Sequence, residues 1–84
     1  MSSIQAAADN LARRAGNFCG KPLRAEVGPG RLGLYDTRSG ACHARFRLGI
    51  SLGVSPYFVE EYGRLSHTGV SYGEVLKILL DSNV

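Results

Sequence analysis

The chain has 84 residues, 44% of them hydrophobic, and a formal net charge of +3. That length and apolar content predict a single domain over 1–84 with one small core, and argue against a globally disordered chain. No apolar run reaches the length of a membrane span and the N-terminal stretch lacks the apolar region of a secretory signal, so a cytosolic protein with no membrane partner is expected, with Cys19 and Cys42 as reduced thiols.

In chain order, Ser2 followed by Gln5 has the spacing of a capping box, and Ile4, Ala7 or Ala8, Leu11, Ala15 and Phe18 then recur at helical intervals. A helix over 3–15 is predicted, closed by Gly16. Its polar side holds Asp9, Arg13 and Arg14, but its apolar face is mostly alanine, which suits packing on a sheet better than anchoring in a membrane. Leu23, Ala25 and Val27 alternate with Arg24 and Glu26, giving a first strand over 23–27. Gly28-Pro29-Gly30 is a turn, and Leu32 and Leu34 opposite Arg31 and Tyr35 form a second strand. Thr37-Arg38-Ser39-Gly40 turns the chain again.

The strongest pattern follows, over 42–54. Cys42, Ala44, Phe46, Leu48, Ile50, Leu52 and Val54 are all apolar, whereas His43, Arg45, Arg47, Gly49, Ser51 and Gly53 put no large apolar group between them. Period-two alternation predicts a strand with one buried face. Fully extended it would measure about 43 Å, too long for a domain of this size, so a bend at Gly49 or Gly53 is expected. Ser55-Pro56 then has the chemistry of a helix start, with Tyr57, Phe58, Val59, Tyr62 and Leu65 after it and a stop near Gly69. Ser71 and Glu74 make a second capping box for a last helix carrying Val75, Leu76, Leu79 and Leu80. The fold class expected is α+β, in the order α-β-β-β-α-α: a three-stranded antiparallel meander with an N-terminal helix and a C-terminal αα-hairpin packed on one face.

Familiar motifs fare poorly. Gly28-Pro29-Gly30-Arg31-Leu32-Gly33 matches the dinucleotide fingerprint in letters, but a strand rather than a helix follows it, so the amides that would meet a pyrophosphate are absent. Gly16-Asn17-Phe18-Cys19-Gly20-Lys21 is one residue short of a phosphate-binding loop and ends in Pro22 where a magnesium-binding hydroxyl belongs. Cysteines at 19 and 42 with histidines at 43 and 67 lack the paired spacing of a zinc site, so no metal or other cofactor is expected. The Gly69-Val70-Ser71 turn resembles that of a helix-turn-helix, yet the following helix would present Tyr72, Gly73 and Glu74 to DNA with Lys77 as its sole cation. A nucleophilic site would require Cys19 to meet His43 or His67, and without such a constellation no enzyme is expected.

Charge is unevenly distributed. Eight Lys and Arg face three acids in residues 1–55, and two face four in 56–84. An Arg-rich composition also arises from a GC-rich genome, so the asymmetry alone decides little. Alternation, however, gathers Arg24, Arg31, Tyr35, His43, Arg45 and Arg47 on the polar face of the meander. Arginine and tyrosine are enriched in protein hot spots, and the predicted role is a small accessory protein acting by occupancy, an inhibitor or assembly factor, through contact with an acidic protein surface or a nucleoprotein complex. Phage- or virus-encoded antagonists of host defence are built in this style, an analogy of size only. The alternatives are a nucleic-acid-binding protein that uses the same face or the helix-turn-helix, and a small Cys/His enzyme. The long third strand also predicts a homodimer through an exposed strand edge.

Overall fold

The computed structural model describes residues 3–49, 52, 53 and 55–84. Helix α1 (Ser3–Cys19) is followed by strands β1 (Leu23–Gly28), β2 (Arg31–Asp36), β3 (Cys42–Gly49) and β4 (Tyr57–Tyr62), a short 3-10 turn (Leu65–His67) and helix α2 (Tyr72–Ser82). The α+β class and the antiparallel meander hold, but the sheet has four strands in the order β1-β2-β3-β4.

The fourth strand replaces the first helix of the expected αα-hairpin. Tyr57, Phe58 and Val59 are aromatic or β-branched, side chains that suit a pleated surface, and tertiary context favours the strand. Phe58 stacks on Tyr72 of α2 with ring centroids 4.3 Å apart and meets Phe46 edge-on at 5.3 Å. With β4 extended, the helix-turn-helix loses its first helix. The third strand also ends sooner than predicted. It reaches Gly49, while Leu52 is 95% exposed and Gly53 turns at φ 72, so Leu52 does not face the core. Ile50, Ser51 and Val54, which the pattern placed in that strand, lie outside the described residues, as does the Ser2 half of the first capping box.

Helix α1 runs past Ala15, the expected end, because Gly16 is a contact rather than a stop. A β-carbon there would overlap the carbonyl oxygen of Lys21, whose amide donates to Gly16 O at 3.0 Å. Gly20, with φ 72, provides the left-handed residue that ends the helix. At the other end of the chain the capping box of α2 is complete: Ser71 Oγ accepts from Glu74 N at 3.3 Å, and Glu74 Oε2 accepts from Ser71 N at 2.9 Å. Arg14 of α1 pairs with Glu74 at 2.6 Å and so ties the two helices together.

One core lies between the helices and one face of the sheet. Ala8, Leu11, Ala12 and Ala15 of α1 and Val75, Ile78 and Leu79 of α2 meet Ala25, Leu32, Leu34, Ala44, Phe46 and Phe58. The alanines let α1 approach β1 closely. Leu80, expected in the apolar stripe, is instead exposed. Thr68 is fully buried and satisfied, donating to Leu65 O at 2.6 Å.

Both outer edges of the sheet are partly occupied by side chains. Gln5 Nε2 donates to Ala25 O of β1 at 3.4 Å, and Phe58 N of β4 donates to Tyr72 Oη at 3.4 Å. No helix among the described residues is long and apolar enough to cross a membrane.

Candidate functional site

Among the described residues no helix lies on the face of the sheet opposite the core. Alternation around Ala25, Leu32, Leu34 and Phe46 turns Arg24, Arg31, Tyr35, Arg45 and Arg47 to that side, as the sequence predicts. Arg24 lies opposite Tyr35, Arg31 opposite Arg47, and Gly33 opposite Arg45. Strand β4 adds three residues that sequence reasoning missed. Tyr62 pairs with Arg45, Tyr57 pairs with Gly49, and Glu61 reaches both Arg45 and Arg47. Tyr35 is therefore one of three tyrosines on this face. The missed signal was a second alternation, with Phe58 inward between Tyr57 and Val59.

Two glycines form the floor. A β-carbon on Gly33 would lie 2.5 Å from Tyr35 Cε1, and one on Gly49 would overlap the ring of Tyr57. Each tyrosine ring thus lies flat where the sheet has no side chain, in the manner of aromatic rescue.

A chain of polar contacts crosses all four strands. Glu26 pairs with Arg24, whose guanidinium stands 5.2 Å from the centre of the Tyr35 ring. Arg45 hydrogen bonds to Tyr35, which holds its guanidinium above the ordinary value, so it remains charged at every pH the protein meets. Arg45 and Arg47 then converge on Glu61, at 3.4 and 3.0 Å. Among the described residues no carboxylate pairs with Arg31. It borders two concavities, one of about 510 Å³ floored by Gly33 and lined by Tyr35, Arg45 and Glu61, and one of about 300 Å³ shared with Pro29, Arg47 and Asn83.

His43 does not belong to this face. Tyr35 pairs with Cys42 while Leu34 pairs with Ala44, so β3 carries an extra residue that breaks the alternation. The bulge turns the His43 ring towards the end of α1, where Nε2 lies 3.3 Å from Cys19 Sγ and 3.4 Å from the carbonyl oxygen of His67. Cys42, expected in the core, sits half-buried opposite Tyr35 and is influenced by Arg45. Burial pushes its thiol above the ordinary value. Sequence spacing could not reveal that Cys19 and His43 meet, since three segments far apart in the chain converge there.

Gly28–Gly33 spans the β1–β2 hairpin, and the strand after it starts at Arg31, so no helix N-terminus faces the glycines. Among the described residues no three His, Cys, Asp or Glu side chains are grouped so as to hold a metal ion. No family model, curated protein or solved structure matches this chain.

Proposed function

We propose that the chain is a non-catalytic binding protein that acts by occupancy, an inhibitor or assembly factor, laying the open face of its sheet on an acidic surface of a partner protein. The observation that carries this reading is the opposition of Arg31 and Arg47. Two like charges directly across a strand pair are destabilising. Arg47 has Glu61, but among the described residues Arg31 has no acid, so a carboxylate from a partner would relieve the opposition. The tyrosines beside it are the other half of a hot spot, large rigid rings already seated on glycine. Their preset positions lower the ordering cost of binding.

Nucleic-acid binding is the second reading, and β4 strengthens it by adding Tyr57 and Tyr62 as stacking surfaces beside the guanidinium groups. Against it, Glu26 and Glu61 stand within the same face and would repel phosphates. A strand-edge homodimer would first have to displace Gln5 or Tyr72 from the edges they occupy.

The test is copurification from the source cells with wild type, Arg31→Glu and Arg13→Glu baits, with and without nuclease. Arg13 is exposed on α1, away from the sheet. A nuclease-resistant protein partner that Arg31→Glu loses and Arg13→Glu keeps is the expected result. Loss on nuclease treatment would replace this reading with the nucleic-acid one. Equal capture by both variants would overturn the use of this face.

A further inference from the structure

The meeting of Cys19 and His43 is independent of the sheet face. Cys19 ends α1, His43 stands at the β3 bulge and His67 closes the 3-10 turn. Sγ of Cys19 lies 3.3 Å from His43 Nε2 and donates to the His67 carbonyl oxygen at 3.0 Å. A nucleophile and a base within hydrogen-bond reach form the core of an activated thiol site. Cys19 is partly accessible, and its neighbour Phe18 is 65% exposed with its ring over Gly69, so a reagent can approach along an apolar shoulder.

We propose that Cys19 is a modification site for small disulfides, with His43 as the base that accepts the thiol proton. Sγ attacks the nearer sulfur of the reagent. A new S–S bond forms to Cys19 as the reagent's own S–S bond breaks, and the departing thiolate takes the proton from the imidazolium. The disulfide is the oxidant, so the products are the mixed disulfide and one released thiol. His43 receives the proton at Nε2, in the tautomer that carries hydrogen on Nδ1.

The surroundings set when that proton leaves. A helix C-terminus and a carbonyl oxygen at 3.0 Å both oppose negative charge on sulfur. The S–H proton that rests on the His67 carbonyl swings to His43 as the new bond forms. The rate should therefore depend on the His43 imidazole. Among the described residues, His43 is the titratable side chain in hydrogen-bond contact with Sγ, and Lys21 is the nearest charge along the chain.

The experiment uses the intact protein with iodoacetamide and, separately, 2-hydroxyethyl disulfide, and locates the label by peptide mass. In the alkylation the same proton goes to His43 as the C–S bond forms and iodide leaves. Cys42 is the internal control, half-buried and with its thiol held protonated by burial. At pH 7 Cys19 should react at least about tenfold faster than Cys42, as general-base help allows. His43→Gln should slow Cys19 at least about tenfold while leaving the Cys42 rate unchanged. Equal rates at the two cysteines, or a Cys19 that reacts as fast in His43→Gln as in wild type, would overturn the proposal. The Cys42 rate reports whether His43→Gln keeps its fold, and the wild-type comparison of the two cysteines decides the matter even if that variant folds poorly.

Discussion

Replacing Arg31 by Glu separates the proposed binding role of the open face from its stability. Arg31 and Arg47 are directly opposed across β2 and β3, which puts their charged groups roughly 6 Å apart. In water two such charges repel by about 0.7 kcal/mol, and physiological salt roughly halves that. Changing one sign converts the repulsion into an attraction of similar size, a swing of about 0.7 kcal/mol. Glu61, already within 3.0 Å of Arg47, would meet the new carboxylate and cancel part of the gain. Arg31→Glu should therefore leave the melting temperature unchanged or raise it by up to about 4 °C. Binding to an acidic partner should fall by more than about 30-fold, since a favourable charge contact becomes a repulsive one. Thermal denaturation followed by circular dichroism gives the first number, and titration against the copurified partner the second. A fall in melting temperature of more than about 5 °C would show that Arg31 is structural and refute the argument. Reversing Arg45 and Arg47 together is a poorer experiment, because it strips Glu61 of both cations and gathers three carboxylates at one point.

Glu74, held down to about 2 by its ion pair with Arg14 and its capping bonds to Ser71, stabilises the fold above its unfolded value near 4.5, and the benefit disappears as pH falls towards 2. Its carboxylate is about a third exposed, so Glu74→Gln should cost about 1 kcal/mol at pH 7, with the gap in melting temperature from wild type narrowing between pH 5 and pH 2. Phe46→Ala removes a fully buried ring that touches Phe58 and should cost about 3–5 kcal/mol in urea denaturation, enough to unfold much of the protein. Gly33→Ala should push the Tyr35 ring off its floor. Stability should change by less than about 1 kcal/mol, because the displaced group is a half-buried ring on the open face and not part of the core, while partner affinity drops at least about fivefold.

Three of the four strands were legible in the sequence because each alternates cleanly about a turn rich in glycine. The fourth was not. Ser55-Pro56 has the chemistry of a helix start, and Tyr57, Phe58, Val59 and Tyr62 also satisfy helical spacing in so short a window, so local signals conflict until Phe58 is placed against Phe46 and Tyr72. The basic face could be read from β2 and β3, yet its neutralising partner Glu61 was hidden, because its position depends on the register of β4. His43 was misplaced for a different reason. A bulge changes facing with no mark in the letters, and here it separates His43 from Arg45 and brings it to Cys19.

The position of α2 at the end of the order bears on how the chain folds as it is made. The meander forms from hairpins between neighbours in sequence, which close quickly. Its greasy side, with Leu32, Leu34 and Phe46, stays wet until Val75, Ile78 and Leu79 emerge from the ribosome. A nascent chain halted before Tyr72 is thus a sheet covered by α1 only along β1 and a natural client for chaperones, and removing α2 should give inclusion bodies rather than a smaller soluble protein.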